Sequence, residues 1–369
     1  MTQTEKTARI ILEDGTEFEG LAFGHDSSVA GEIISVTGMA DMARLLSDPA
    51  LKGMIVVLSQ PVAGATGIPE DDLCPLGLET AFESPTSQIS GLVVAQYTED
   101  ASHWSSSKSL GKWLKKQQVP GISGIDTRSL IQRLSIRGTM RAKILVSETK
   151  EVTFNSASMN NQSANISTKR QVSYGTGEKK IALIDCGVRN STIRSLVTKN
   201  TTVVRLPLTC DYSNDDYAGI FISGGPGDPT SCEKTIAILR AILKSPSGAK
   251  KPIFATGQGA VILAVAAGAS AFRMAMGHRS SSVPCIDLES GRCYITAQNH
   301  GYGIRDDSLP GGWKPTFLNN NDRSIEGFAA EKGLYSGVLF QPEGYPGPHD
   351  TDFLYSRFME IVRNGGINS

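Results

Sequence analysis

The residues that bear most directly on chemistry lie in one stretch, 251–270, which reads KPIFATGQGAVILAVAAGAS. A short apolar segment (Ile253, Phe254, Ala255) enters a glycine-bearing turn (Gly257, Gln258, Gly259), and an alanine-rich apolar run suited to a buried helix follows. This is the pattern of a nucleophile elbow, a sharp strand-to-helix turn that holds one side chain up at the end of a parallel sheet. The apex of such a turn carries Ser or Cys when it works as an enzyme, because an oxygen or sulfur must attack a carbonyl. Gly257 supplies neither. A strained apex conformation is costly for residues with a Cβ and nearly free for glycine. The pattern therefore predicts a turn that is kept while its reactive atom is gone.

An elbow needs a sheet, and from Lys180 onward the pattern is that of an α/β domain. IALIDCG, VVRLPL and GIFISGGPGDP read as buried strands, the third ending in a glycine-rich loop, with helical runs at 189–199 and 232–243. Strands alternating with helices predict a parallel sheet whose chemistry sits at the carboxyl ends of its strands. The elbow strand is the next in line. The first half reads differently. RIILEDGTEFEG alternates as a strand does and is broken by Asp14-Gly15, a strong hairpin signal. Further strands are expected at 32–36, 53–59 and 91–97, and helices at 108–118, where Leu110, Trp113 and Leu114 fall at helical spacing, and at 127–135. Alone, this indicates a mixed α/β domain of about 150 residues. Between the halves, 149–179 is rich in Asn, Ser, Thr and Gln, and is read as an interdomain linker.

With 369 residues there is room for two domains with full cores. Lys and Arg total 36 against 37 Asp and Glu, so no strong field draws the chain to nucleic acid or a membrane, and neither is an expected partner. The start, MTQTEKTARI, has no apolar signal core, and no long uncharged apolar run follows. A soluble cytoplasmic protein is the expectation. Cys74, Cys186, Cys210, Cys232, Cys285 and Cys293 form no CxxC pair and have no His at ligand spacing, so they read as buried or idle thiols and no metal or cofactor is expected. GGPGDP lacks the Lys-Ser/Thr ending of a phosphate loop, so the chain carries no recognisable ATP site.

Three further segments, VPGISGIDTRSLIQRLSIRGTM with SHW and GATGIP upstream, extend the pattern set by the elbow and by the FQPE and PGPHD segments near the end. From Arg9 to Val362 the chain resembles the carbamoyl phosphate synthetase small subunit, a class I glutamine amidotransferase family, in its eukaryotic form. The resemblance implies an α/β fold: a mixed α/β small-subunit domain at 1–148, a flexible linker at 149–179, and at 180–369 an amidotransferase-like parallel sheet flanked by helices. Family members hydrolyse glutamine with a Cys, a His and a Glu.

Their elbow carries G-x-C-x-G-H-Q, against which this chain has Ala255 to Val261. The cysteine position is Gly257, the substrate-holding glutamine is Val261, and Gly259 is kept. The family's F-Q-G-H-P-E appears as Phe340, Gln341, Pro342 and Glu343, so the catalytic histidine is missing and Glu343 is left with nothing to orient. His349 follows at a position that is not catalytic in the family. Gly225, Gly227, Asn299, Gly301 and Tyr302 match glutamine-binding positions, whereas Gly38, Gln258 and Val261 mark lost substrate contacts. The plainer reading of GGPGDP, a tight turn kept for the fold, is preferred because its catalytic partners are gone.

Together these implications describe a pseudo-glutaminase that docks on a carbamoyl phosphate synthetase large chain or domain, as scaffold or regulator of an ammonia-fed synthetase of pyrimidine or arginine metabolism. Two alternatives stay open. One is an interaction protein of another complex that reuses the fold. The other is a glutamine-hydrolysing subunit with relocated catalytic residues, which would need a base that the sequence does not offer.

Overall fold

The hairpin signalled by Asp14-Gly15 forms, with Thr7–Leu12 antiparallel to Glu17–Gly24 and Gly15 at φ 83° in the turn. In this computed structural model, which describes residues 6–38, 41–154, 162–213, 216–245, 251–331 and 333–365, the hairpin opens a closed barrel. Going round, the order is Thr7–Leu12, Glu17–Gly24, Pro120–Ser123, Gly91–Val93, Met54–Leu58, Val29–Val36 and Met140–Val146, which returns to the first strand. Alternating residues of these strands (Ile10, Ile33, Ile55, Val57, Ile122, Ile144) make one core with Leu130 and Leu134 of the helix Thr127–Arg137. The opposite alternation (Ile34, Val56, Leu58, Leu92) packs on Leu110, Trp113 and Leu114 of the helix Leu110–Lys116. Barrel closure lies beyond the expectation of a mixed α/β domain, because it pairs Thr7–Leu12 with Met140–Val146 at the other end of the unit and runs through a strand, Gly91–Val93, of only three residues.

The second unit, divided from the first after Met159 by its contacts, is built on a ten-stranded sheet. Five neighbouring strands are parallel, in the order Thr201–Pro207, Lys179–Asp185, Gly219–Ile222, Ile253–Thr256 and Tyr335–Val338. Period-two alternation gives this sheet two apolar faces. Ile220, Ile222 and Ala255 pack under the helices Glu233–Lys244 and Gln258–Ala267, while Phe221 and Phe254 turn the other way onto Tyr355 and Phe358 of the helix Phe353–Asn364.

The expected parallel sheet is correct for this half only. Beyond Tyr335–Val338 the sheet continues antiparallel through Ile325–Ala330, Trp313–Asn319, Ala271–Asp287 and Cys293–Ile304. The two longest, Ala271–Asp287 and Cys293–Ile304, carry Ser, Gly and His and are half-exposed, so they lack the unbroken apolar runs by which buried parallel strands are recognised.

The linker expected at 149–179 also needs correction. Residues 155–161 lie outside the described residues, but 162–179 are folded into the second unit. Gln162–Ile166 is helical and Val172–Tyr174 pairs with Thr201–Pro207. Ser163 and Ser167 are buried. The Ser163 hydroxyl is 2.6 Å from the Pro226 carbonyl, Ser167 Oγ accepts from Leu208 N at 2.8 Å, and Thr168 N donates to buried Asp185 at 2.7 Å. Hydrogen bonds, rather than apolar burial, hold this polar segment, and composition alone cannot show that. Among the described residues no helix is long and apolar enough to cross a membrane.

The elbow helix enters so close to its neighbour that a Cβ on Gly259 would stand 2.5 Å from the carbonyl oxygens of both Ile222 and Ser223. Backbone cannot yield as a side chain does, so Gly259→Ala should lose about 3 kcal/mol of unfolding free energy, the upper end of overpacking costs. Urea unfolding should show a lowered midpoint. Gly311→Ala, where nothing lies within 4 Å, should shift stability by less than about 0.5 kcal/mol. Equal effects of the two would refute this account of the turn.

Candidate functional site

The apex of the elbow adopts the expected strained turn. Gly257 has φ 53° and ψ −126°, between the fully buried strand Ile253–Thr256 and the helix Gln258–Ala267. Its N–H donates to the Val338 carbonyl at 2.8 Å, and its own carbonyl accepts from Ala260 N at 3.1 Å and Val261 N at 3.4 Å. A Cβ here would meet Gly224 Cα at 3.2 Å and Leu339 O at 4.0 Å. Space for a side chain is therefore nearly present. The conformation is what a side chain would find costly, and no atom capable of attack stands at the apex.

The glycine-rich loop beside it is held by structural bonds. A Cβ on Gly225 would fall 1.8 Å from the Cys186 carbonyl, and Gly227 has φ 89°, so both positions require glycine whatever they bind. Gln258, which the resemblance marks as a lost substrate contact, is buried and spans to this loop. Its Nε2 donates to the Gly227 carbonyl at 3.3 Å, and its Oε1 lies 3.1 Å from the Ser163 hydroxyl. Val261, at the family's glutamine-holding position, is 1% exposed within the helix–sheet core. Gly38 belongs to the first unit, in a bend just after the strand Val29–Val36.

The carboxylate is the largest departure from expectation. Glu343 lacks a histidine, yet it is far from idle. Arg189 Nη1 donates to its Oε1 at 3.0 Å and Thr192 Oγ1 at 2.7 Å, while the Tyr355 hydroxyl donates to its Oε2 at 2.8 Å. Burial, and then the Glu343 charge, push the Tyr355 hydroxyl well above its usual range, so it stays a donor. Arg189 and Glu343 have side chains 6% and 2% exposed, which makes the pair a buried ion pair. Sequence reading missed Arg189, Thr192 and Tyr355. The first two are more than 150 residues from Glu343, and no spacing joins them.

The segment carrying Glu343 is tied to the QNHGYG strand, since Gln341 N donates to the Ala297 carbonyl at 2.8 Å. Asn299, Gly301 and Tyr302 are half-buried on that strand, with Asn299 opposite Arg279 and Tyr302 opposite Arg273. A Cβ on Gly301 would meet Arg279 Nη2 at 2.9 Å, so this glycine too has a packing reason. His349 is exposed and lies edge-on to Tyr345, with ring centroids 4.6 Å apart. The site thus keeps its turn, its loop and its carboxylate, and presents neither a nucleophile at the apex nor an imidazole at the carboxylate.

Residues 10–144 match the family profile of the carbamoyl-phosphate synthase small chain, CPSase domain, and residues 182–361 match that of glutamine amidotransferase class-I. A protein of Homo sapiens described as carbamoyl-phosphate synthase (ammonia), mitochondrial, is 41% identical over 98% of this chain and 24% of its own length. Its counterpart in Aquarana catesbeiana is 38% identical over 99% of this chain and 24% of that protein. The chain therefore spans about a quarter of these relatives. The carbamoyl phosphate synthase arginine-specific small chain of Aspergillus clavatus is 37% identical over 98% of this chain and 80% of its own length. On these matches the chain belongs to the carbamoyl-phosphate synthase small-chain family.

Proposed function

We propose that this chain is a non-catalytic, pseudo-glutaminase member of its family that serves as scaffold or regulator of an ammonia-using synthase in pyrimidine or arginine metabolism, docked on a large chain or domain in the cytoplasm. One observation carries the reading. The elbow backbone is intact at φ 53° and ψ −126° while its apex, Gly257, has no side chain. The engagement of Glu343 by Arg189, Thr192 and Tyr355 supports it, because those bonds take up three of the roughly four lone-pair sites of the carboxylate that could orient a histidine. So does the kinship with relatives whose descriptions name ammonia.

A relocated nucleophile finds little support. Cys186 lies beside the glycine-rich loop, but it is fully buried, and burial, with the charges of Cys232 and Asp185, pushes its thiol well above the ordinary range. A neutral buried thiol is inert.

Nucleophile and base act as a unit, so replacing one should not restore function. Purified protein should release ammonia from glutamine no faster than buffer, and Gly257→Cys should do no better. Steady glutaminase activity in the wild type, abolished by one local substitution, would end the pseudoenzyme reading.

With no imidazole to position, Glu343 should now matter for stability. Truncation leaves Arg189 charged and buried, so Glu343→Ala should lose about 3–5 kcal/mol in chemical unfolding. A loss below about 1 kcal/mol would show that solvent or another group replaces the carboxylate.

Docking can be tested by reconstitution with the large chain of the same organism. The pair should co-elute and make carbamoyl phosphate from ammonia but not from glutamine. Separate elution, with ammonia-dependent activity of the large chain unchanged, would favour an interaction protein of another complex.

A further inference from the structure

The antiparallel half of the second unit gathers three ligand-type side chains that the function above does not use. His278 and His300 are direct cross-strand partners on Ala271–Asp287 and Cys293–Ile304, and Glu326 reaches them from Ile325–Ala330. One ligand atom from each lies within 4.8 Å of the other two. All three are largely enclosed, with side-chain exposures of 15%, 6% and 0%. The register shifts on both sides of His278, between Arg273 and His278 and between Ser280 and Val283, which is how bulges re-aim a side chain.

Proton accounting makes the cluster unusual. His300 Nδ1 is 3.0 Å from the Tyr302 carbonyl, which can only accept, so Nδ1 carries the proton and a neutral ring has its lone pair on Nε2. That Nε2 faces Glu326 Oε2 at 3.4 Å, an ion-pair contact only when the ring is protonated, and neither buried atom has another hydrogen-bond partner. On the other side, His278 Nε2 is 3.0 Å from the Asp322 carboxylate, which leaves Nδ1, 2.8 Å from Glu326 Oε1, as the inner nitrogen. Neutral donors also reach the cluster: Asn319 Nδ2 is 3.1 Å from Glu326 Oε1 and 3.3 Å from His278 Nδ1, and the Ser324 hydroxyl is 3.5 Å from Glu326 Oε1. Both outer nitrogens thus have acceptors, and the two inner nitrogens aim at one carboxylate. This is the outer-shell arrangement that fixes histidine ligands around a metal.

We propose that His278 Nδ1, His300 Nε2 and Glu326 bind one divalent transition-metal ion of the zinc class, with Asp322 and the Tyr302 carbonyl orienting the rings. Two nitrogens and a carboxylate oxygen suit zinc, with ligand distances of about 2.0–2.2 Å. Ligands at that radius and tetrahedral angles stand about 3.4 Å apart. The His300–Glu326 separation already meets this, and the His278–Glu326 contact, at 2.8 Å, must open by about 0.6 Å. The partly exposed edge at His278 and Asp322 supplies the entry. The ion would clamp three strands and fix His300, which sits between Asn299 and Gly301. Sequence reading expected no metal because the six cysteines form no CxxC pair and have no His at ligand spacing; this cluster uses no cysteine and joins residues of three separate strands.

The full chain, stripped with chelator and dialysed, is titrated with zinc by calorimetry and with cobalt(II) by visible absorption. One equivalent should bind with micromolar or tighter affinity, raise the melting temperature, and give cobalt d–d bands without sulfur charge transfer. His300→Gln should weaken binding at least about 100-fold, and Asp322→Asn, a change at a half-exposed residue, about 10–100-fold. Should His300→Gln fail to fold, Asp322→Asn decides alone. Absence of stoichiometric uptake, uptake unchanged in Asp322→Asn, or a thiolate cobalt spectrum would each overturn the assignment.

Discussion

The second unit depends on how closely its strand ends approach one another around the elbow. Gly225 passes the Cys186 carbonyl and Gly259 passes those of Ile222 and Ser223 at distances that leave no room for a Cβ. Three successive parallel strands, Lys179–Asp185, Gly219–Ile222 and Ile253–Thr256, can therefore end at one level with their loops in contact. The helix Gln258–Ala267 then starts against the sheet, and burial of Val261, Ile262 and Ala264 follows from that start. Backbone proximity comes first, and core packing is its consequence.

The same proximity explains how the glycine-rich loop could lose a catalytic role and still keep its sequence. Its glycines answer to carbonyls behind them, and its orientation is set by Gln258 and Ser163. Glu343 shows a related economy. A buried carboxylate without partners would cost several kcal/mol. Arg189, Thr192 and Tyr355 remove that cost, so the residue persists as part of the packing between the helices Asn190–Leu196 and Phe353–Asn364.

The legibility of the sequence followed its periodicity. The parallel strands of the second unit and the helices Leu110–Lys116, Thr127–Arg137 and Glu233–Lys244 carry apolar residues at unambiguous spacing, and they formed within a few residues of expectation. The hairpin at Asp14-Gly15 was equally plain. What could not be read was any feature that closes over long separations. Barrel closure between Thr7–Leu12 and Met140–Val146, the Arg189–Glu343 pair and the His278–His300–Glu326 cluster each need the fold before they exist. The polar 162–179 segment failed for another reason. Its stability comes from buried serine hydroxyls and from Asp185, which composition scores as solvent-loving. At the site, the lack of a side chain at Gly257 was legible in the sequence, whereas the contacts of Gln258 and Glu343 were visible only in three dimensions.

The direction of change at such a site follows from unequal energies. A side chain at φ 53° and ψ −126° holds strain of about 1–3 kcal/mol, so glycine at the apex relaxes the turn. A side chain at Gly225 or Gly259 would instead force backbone apart. Once glutamine chemistry is no longer required, the apex can lose its reactive atom at a gain in stability, while the supporting glycines cannot change without loss. The Glu343 carboxylate stays buried because Arg189, Thr192 and Tyr355 all donate to it. On the proposed reading, a fold without its reactive atoms that keeps its costly backbone contacts is the expected end state of relaxed demand for glutamine hydrolysis with continued demand for the folded surface.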